Sequence, residues 1–425
     1  MSNRTRFQYW KKTLIAIIFY DETEKPASLL SSGLPLWRLL LRICLPFLIF
    51  PFSLVAWAML RVLLIRFQVS IYILKPFRPG YASTYLNMME PLCRRLQHEN
   101  QTRHIKILVE SGADVSSVIV ESYAPHFTLY LNDRHKFLRQ VFYLVPKSGI
   151  EKIFINTSNK YNLAWFLNPA KNFAFDSKQV PRDLKRLDIE PQNFVLFSHA
   201  SKNYYHKSKN PGVVSDMNYR FFDLSEYELS LKSVLDSNLK VIRIGTNVDE
   251  LPERLRNLQI VDYTGDLRIE SSELWLFEHC KFLISANSGA YWFARKFNRP
   301  SLLTNVYVIA NGFYSTMFTP MLIQNTNTNS LLTITEMLEY RHSPVISSDR
   351  AMKTANLKFN AHSAETLNNA VAEMLNPIDI DSYSSDDLLL LRKYHKILGS
   401  FEMPTIKGCT SPAISFLREF SHLVE

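Results

Sequence analysis

The chain has 425 residues, of which 47% are hydrophobic and 21% are charged, and its formal net charge is +10. This composition excludes a disordered chain, and the length favours two domains over a single core. The four cysteines are far apart and form no CxxC pair, which argues against a zinc site or a disulfide framework.

The positive charge is concentrated at the start of the chain. Residues 1–80 contain eleven Lys/Arg and three Asp/Glu, a net charge of +8, so the remaining 345 residues carry only +2. A nucleic-acid enzyme usually carries its basic residues on the folded domain. Here the basic residues flank an apolar segment, which predicts an anionic membrane as partner and no nucleic acid.

The apolar segment is Ile43–Leu60, 18 residues without a charge between Arg42 and Arg61. A helix of that length rises roughly 27 Å, just short of the hydrocarbon core of a bilayer, and Pro46 and Pro51 would kink it. Three interpretations stay open: a single span, a kinked helix in or dipping into the cytoplasmic leaflet, and a buried core helix. The first two predict membrane attachment.

After about residue 76, short apolar strands alternate with amphipathic helices. The predicted strands are His104–Val109, Phe142–Val145, Lys152–Ile155, Asn193–His199, Leu239–Ile244, Gln259–Asp262, Lys281–Ser285 and Ser301–Thr304. The predicted helices are Thr84–His98, Asp223–Ser237, Ser272–His279 and Ser288–Phe297. This rhythm predicts an α/β fold with two Rossmann-like domains facing across a cleft. The expected boundaries are 1–75 for the membrane-attachment segment, 76–205 for the N-terminal domain and 206–425 for the C-terminal domain.

The strongest candidate site is the turn after the strand Lys281–Ser285. It consists of Ser285, Ala286, Asn287, Ser288 and Gly289, and Ala290 follows it. We expect Ser288 to cap the next helix and Gly289 to let the backbone approach a ligand. Amides at a helix start favour an anion, and ligands of open α/β sheets sit at the carboxyl ends of strands. An ordinary strand-to-helix turn with a capping serine remains the alternative.

Two weaker candidates end neighbouring strands. One is the run from Arg243 through Gly245 and Thr246 to Asn247, which a plain β-turn would also explain. The other is the run from His199 to His206, in which His199 is a candidate base and Lys202 a cation for a phosphate. A solvated polar loop is the alternative there. No metal-ligand spacing, Walker A sequence or GxSxG elbow is found, so no metal or cofactor is predicted.

The stretch from about residue 193 to 306, with Ser411–Leu417, resembles a family of bacterial glycosyltransferases that have a GT-B-like fold and occur with surface-polysaccharide genes. Three pieces carry the resemblance: Tyr219-Arg220 with Asp223, Asp262-Tyr263 with Lys281–Gly289, and Arg299-Pro300 with Asn305. Such proteins tend to have an Arg-Asp pair where this chain has Ala200-Ser201, while Tyr204 keeps a family-like place. Loss of that arginine implies a different donor, a different acceptor or reduced catalysis.

The resemblance implies a metal-independent transfer of a sugar from a nucleotide-sugar donor to a lipid-linked or glycan acceptor. The donor diphosphate would rest on the amides of Ser288–Ala290, with Arg243 or Arg220 nearby to offset charge. His199 and Asp223 are the candidate bases. The C-terminal domain would bind the donor and the N-terminal domain the acceptor, on the cytoplasmic side of a bacterial inner membrane.

Two other function classes fit the same fold. A non-catalytic, membrane-attached scaffold or sugar-binding subunit is the main alternative, and the missing Arg-Asp pair favours it. A nucleotide-sugar epimerase is the third possibility. Its substrate would be soluble, and the apolar N-terminal segment argues against it.

Overall fold

The computed structural model describes residues 51, 52, 54–60, 62, 63, 66, 67, 69–74, 104–110, 128–131, 180–207, 218–265, 268–286, 288–306, 316–340, 348–377, 382–400 and 411–424. Three predicted elements therefore lie outside the described residues: the helix Thr84–His98 and the strands Phe142–Val145 and Lys152–Ile155. So does Asn287 of the candidate site. The chain divides into two compact units, one formed by residues 1–78 and 89–161 and the other by residues 79–88 and 162–425.

The first unit contains a three-stranded parallel sheet in the order β1-β2-β3. Its strands are β1 (Val69–Leu74), β2 (His104–Glu110) and β3 (Thr128–Leu131). β2 confirms the predicted strand, whereas β1 was not predicted. Residues 69–74 had been assigned to the membrane-attachment segment, but their pairing with β2 makes them part of the sheet. Residues 51–66 are helical wherever the structure describes them, and no described helix is long and apolar enough to cross a bilayer.

The second unit is built on a seven-stranded parallel sheet in the order β12-β9-β8-β7-β4-β5-β6. Its strands are β4 (Phe194–His199), β5 (Lys240–Ile244), β6 (Ile260–Tyr263), β7 (Phe282–Ala286), β8 (Ser301–Val306), β9 (Met317–Pro320) and β12 (Ser411–Pro412). A separate antiparallel pair is formed by β10 (Leu322–Asn325) and β11 (Leu357–Asn360). β4, β7 and β8 are buried along their whole length, as parallel strands covered on both faces should be.

Short helices connect these strands. They are α1 (Arg182–Lys185), α2 (Lys202–Lys207), α3 (Glu228–Asp236), α4 (Glu253–Arg256), α5 (Glu270–His279), α6 (Tyr291–Lys296), α7 (Ile334–Glu339), α8 (Asp349–Thr354), α9 (Ala364–Leu375), α10 (Ser385–Ser400) and α11 (Ile414–Glu419). Three 3₁₀ turns complete the described elements: Asn218–Arg220, Leu224–Tyr227 and Ser421–Val424. The helix predicted from Asp223 is thus a 3₁₀ turn followed by α3.

Helices cover both faces of the seven-stranded sheet. On one face α3 packs against α9, and the buried core there includes Val195 and Phe197 of β4. On the other face Trp275 of α5 stacks on Phe194 of β4, with 6.3 Å between the ring centroids. Side chains alternate between the faces along each strand. The second unit is therefore a doubly covered, Rossmann-like parallel α/β layer structure.

The position of β4 differs from the expected domain boundary at residues 205/206. β4 pairs with both β5 and β7, so it is a central strand of the C-terminal sheet. The polar loop after β4 is therefore the connection that leaves the carboxyl end of an internal strand.

Candidate functional site

The order in which strands are added to the seven-stranded sheet reverses between β4 and β7. From β4 the chain continues outward through β5 and β6, then returns to the other side of β4 with β7 and continues outward through β8 and β9. The connections leaving β4 and β7 therefore diverge, and the carboxyl ends of these two adjacent strands border a crevice. Ligands of open α/β sheets bind at such topological switch points.

Three serine hydroxyl groups meet at this switch point. Ser198 and Ser285 stand opposite each other in the β4–β7 register, and both are buried. Ser198 Oγ donates to Ser288 Oγ at 2.8 Å, and Ser285 Oγ donates to the carbonyl oxygen of Ser288 at 3.2 Å. The site thus gathers Ser285 and Ser288, which the sequence had predicted, with Ser198, which it had not.

The turn after β7 is longer than predicted. α6 begins at Tyr291 and not at Ser288, and its N-cap is Ala290, which makes no side-chain capping bond. Ser288 Oγ instead accepts a hydrogen bond from the amide of Ala290 at 3.3 Å. Residues 288–290 therefore form a turn before the helix, in which Gly289 is exposed and Ser288 and Ala290 are half-buried. Ser288 was predicted to cap the helix. It instead organises the turn that precedes the helix.

His199 and Arg243 form a buried pair on the opposite face of the sheet. Arg243 Nη2 lies 2.9 Å from His199 Nε2, and His199 Nδ1 lies 3.0 Å from the carbonyl oxygen of Ala200. A guanidinium group has only donors, so Nε2 accepts and Nδ1 carries the proton. Burial, and then the charge of Arg243, lower the pKa of His199 to about 4. His199 is thus neutral with both nitrogens engaged, so this arrangement does not present it as the predicted base.

The bonds of Arg243 also differ from the expectation. Its Nη1 donates to Asp262 Oδ2 at 3.0 Å, its Nη2 also bonds the carbonyl oxygen of Asp249, and its side chain is 1% exposed. A phosphate placed at the switch point would not meet this guanidinium group, because β5 directs it into the α3 side of the sheet. Arg243 therefore joins β4, β5 and β6 rather than offering a cation to the donor.

The loops that follow β4 and β5 are fastened to each other. Asp249 Oδ2 and Oδ1 accept from the amides of Lys202 at 2.9 Å and Asn203 at 3.1 Å, which are at the start of α2. Ser201 Oγ donates to the carbonyl oxygen of Asn247 at 3.2 Å. The structure thus places the two weaker candidate runs side by side. Asp249 was not singled out in the sequence, and its only signal was its place in the loop after a strand.

Gly245 ends β5 in a conformation that suits glycine. Its φ is +145°, and an added Cβ would lie 2.6 Å from Cγ1 of Val248. Thr246 follows it and is exposed. A side chain at position 245 would therefore strain the turn and push against Val248, so glycine keeps the loop in the shape that brings Asp249 to α2.

Arg220 ends the 3₁₀ turn Asn218–Arg220, and Asp223 immediately precedes the 3₁₀ turn Leu224–Tyr227. The amides of Asn218 and Tyr219 donate to the carboxylate of Asp349, at the start of α8, at 2.6 and 3.2 Å. Asp223 Oδ1 accepts from the amide of Ser225 at 2.8 Å and caps the 3₁₀ turn Leu224–Tyr227. Asp223 therefore caps this turn. From the sequence, Asp223 was proposed only as a base, and the cap was not predicted.

Among the residues that the structure describes, no group of three or more His, Cys, Asp or Glu side chains is arranged to hold a metal ion. The described hydrogen-bonding groups on the Ser198 face of the β4–β7 edge are hydroxyls and backbone groups. Such groups suit an anionic or polyhydroxylated organic ligand.

No family model matches the chain, and no curated protein matches it. Among solved structures it is similar to the iron-containing dodecameric glycosyltransferase TibC of enterotoxigenic E. coli H10407, at 14% identity and a TM-score of 0.35. That match covers 56% of this chain and 58% of TibC, so this chain spans less than two thirds of it.

Two further solved structures are similar over different lengths. ADP-heptose LPS heptosyltransferase II of E. coli is 13% identical, with a TM-score of 0.34 and coverage of 55% of this chain and 84% of that one. S. aureus MnaA, solved with UDP, is 11% identical, with a TM-score of 0.30 and coverage of 73% and 97%. Likenesses at this level carry no argument about ligand or reaction, which depends on the residues themselves.

Proposed function

We propose that this chain is a glycosyltransferase that binds a nucleotide-sugar donor with the donor diphosphate at the carboxyl ends of β4 and β7. The observation that carries the proposal is the cluster of Ser198, Ser285 and Ser288 at the topological switch point. The exposed Gly289 beside this cluster leaves room for a ligand to approach the backbone.

The hydrogen bonds within the cluster single out one donor for the ligand. Ser198 Oγ and Ser285 Oγ both give their protons to Ser288, at its hydroxyl and carbonyl oxygens. Ser288 Oγ also accepts from the amide of Ala290, so its own O–H proton is the hydroxyl proton of the cluster that bonds none of the described residues. In the proposed complex that proton bonds a phosphate oxygen, and the bonds from Ser198 and Ala290 hold the hydroxyl in place.

The chemistry of sugar transfer fits such a site. When the bond between the anomeric carbon and the phosphate oxygen breaks, negative charge develops on the departing nucleoside diphosphate. Fixed hydrogen-bond donors stabilise that charge without reorganisation. Arg220 is the cation that we propose for the phosphates, since Arg243 is engaged with Asp262. Asp223 remains the proposed base for the acceptor hydroxyl, and a lipid-linked or glycan acceptor remains the proposed second substrate.

Calorimetry of the full chain with UDP, GDP, CMP, dTDP and ADP sugars tests the proposal. We expect one nucleotide to bind, and Ser288→Ala to weaken its binding at least tenfold, since a hydrogen bond to a charged group contributes about 1.5–3 kcal/mol and about 1.4 kcal/mol is a factor of ten. Ser400→Ala, at an exposed serine that bonds only its own helix, is the matched control and should leave the affinity unchanged. The proposal fails if no nucleotide binds, or if Ser288→Ala binds as tightly as the parent chain.

A non-catalytic sugar-binding subunit is the second candidate, and two observations favour it. His199 is buried and neutral, with both ring nitrogens hydrogen-bonded, and Ala200-Ser201 replace the Arg-Asp pair of the similar family. An assay for release of nucleoside diphosphate separates the candidates. A transferase releases it in the presence of acceptor, whereas a binding subunit retains the intact donor.

A further inference from the structure

The helical residues between 51 and 67 carry a row of exposed apolar side chains. Phe52 is 71% exposed, Val55 62%, Met59 67% and Val62 67%, and Leu63 is 52% exposed. A single exposed apolar residue is ordinary, but five within two to three helical turns form a contiguous surface. We call these five residues the apolar face.

The spacing places the apolar face on one side of the helix. At about 100° per residue, the five side chains fall within an arc of about 100°. Outside that arc Trp57 and Leu60 are half-buried, while Leu54, on the far side of the helix, is 38% exposed and so less exposed than any of the five. A helix at the surface of a soluble domain normally presents polar residues to water and apolar residues to the core. Here the exposed side of the helix is apolar, so we expect this side to contact an apolar medium or partner and not water.

The surrounding charge identifies the medium. Residues 1–80 carry a net charge of +8, and Arg66, on the same side as Val62 and about one helical turn later, is exposed. A second copy of this chain would bring a second exposed Arg66 to the apolar face, which opposes self-association. Anionic lipid head groups instead attract each basic residue near the surface.

We propose that the apolar face lies in the head-group region of an anionic bilayer, with the helix axis parallel to the membrane plane. The five side chains of the apolar face lie within one arc of the helix, which suits a helix lying along a bilayer surface. The proposal goes beyond the donor site, which contains none of these residues.

Co-sedimentation of the full chain with lipid vesicles tests the membrane proposal. We expect binding to vesicles of phosphatidylcholine with about one third phosphatidylglycerol, much weaker binding to phosphatidylcholine alone, and weakening by salt. Val55→Asp with Met59→Asp should reduce binding at least tenfold, and Arg66→Glu should reduce it severalfold. Leu389→Asp is the matched control, because Leu389 is a 52% exposed apolar residue of α10, and its binding should equal that of the parent.

Four outcomes would overturn the proposal. Equal binding to neutral and anionic vesicles, or unchanged binding of both membrane variants, removes its electrostatic or its apolar basis. A dimer in light scattering that Val55→Asp with Met59→Asp makes monomeric assigns the face to a second copy. Retention in the membrane after alkaline carbonate extraction indicates a span. Donor binding is measured in the same variants and should be unchanged, so a failure here leaves the proposed transferase standing.

Discussion

Gly245 is the residue whose replacement the structure constrains most directly. It combines a φ of +145° with a contact of 2.6 Å between a built Cβ and Val248 Cγ1. We expect Gly245→Ala to lower the free energy of unfolding by about 2 kcal/mol, because strain and overlap coincide. Gly265→Ala is the matched control, since its φ is +61° but its Cβ would meet nothing within 4 Å, and we expect a loss of about 1 kcal/mol. Urea unfolding measures both; equal losses would contradict the role given to Val248.

Gly289 tests how closely the ligand approaches the turn after β7. It is exposed between Ser288 and Ala290, so a larger side chain there occupies the space proposed for the donor phosphates. We expect Gly289→Val to reduce donor affinity at least tenfold in calorimetry with little change in melting temperature. Gly399→Val in α10, where a Cβ meets nothing within 4 Å, is the control and should bind normally. Normal binding by Gly289→Val would move the phosphates away from this turn.

At the scale of elements, the carboxylate of Asp249 holds the start of α2 against the loop after β5. We expect Asp249→Ala to lower the free energy of unfolding by about 1–2 kcal/mol, as loss of a helix cap does. Hydrogen exchange at the Lys202 and Asn203 amides should accelerate, because both lose their acceptor. Asp236→Ala, at an exposed residue ending α3, should change stability by less than about 0.5 kcal/mol. Unchanged exchange at the two amides would show that α2 is held by other contacts.

Most of the strands that sequence patterns located have buried apolar runs. β2, β4, β5, β6, β7 and β8 were predicted within about two residues, and β4, β5, β7 and β8 are buried along most or all of their length. A parallel strand covered on both faces needs an almost continuous apolar run. The β10–β11 pair was not predicted, since its two strands are short and far apart in sequence. Short strands that pair across a long sequence distance leave no local pattern of apolar residues in the sequence.

The candidate site was partly predictable for a similar reason. Ser285 and Ser288 follow an obvious strand, whereas the contribution of Ser198 depends on β4 being the direct neighbour of β7. The bond between His199 and Arg243 depends on the β4–β5 register, which pairs Phe197 with Arg243 and so brings His199 close by on the same face. Strand order and register are long-range properties that the sequence does not show. For this reason His199 and Arg243, at the ends of two strands, were predicted to bind a ligand, whereas in the fold they bind each other.

At the scale of the whole molecule, buried histidines couple folding to pH. His199 and His362 both have a pKa lowered to about 4, mainly by burial. In the unfolded chain they take up protons near pH 6.5, whereas the folded chain keeps them neutral. The unfolded state therefore binds more protons between pH 6.5 and 4, and the free energy of unfolding must fall as pH falls through that window.

Each histidine then contributes on the order of 3 kcal/mol to the fall, by the conversion of about 1.4 kcal/mol per pKa unit. His199→Gln and His362→Gln should each flatten the dependence, because glutamine does not titrate. His422→Gln is the control, since His422 is exposed, and should keep the parent slope. Urea unfolding at intervals from pH 7 to 4 measures this. Parallel curves for all four proteins would mean that neither His199 nor His362 is buried in the folded chain in the way that the structure places it.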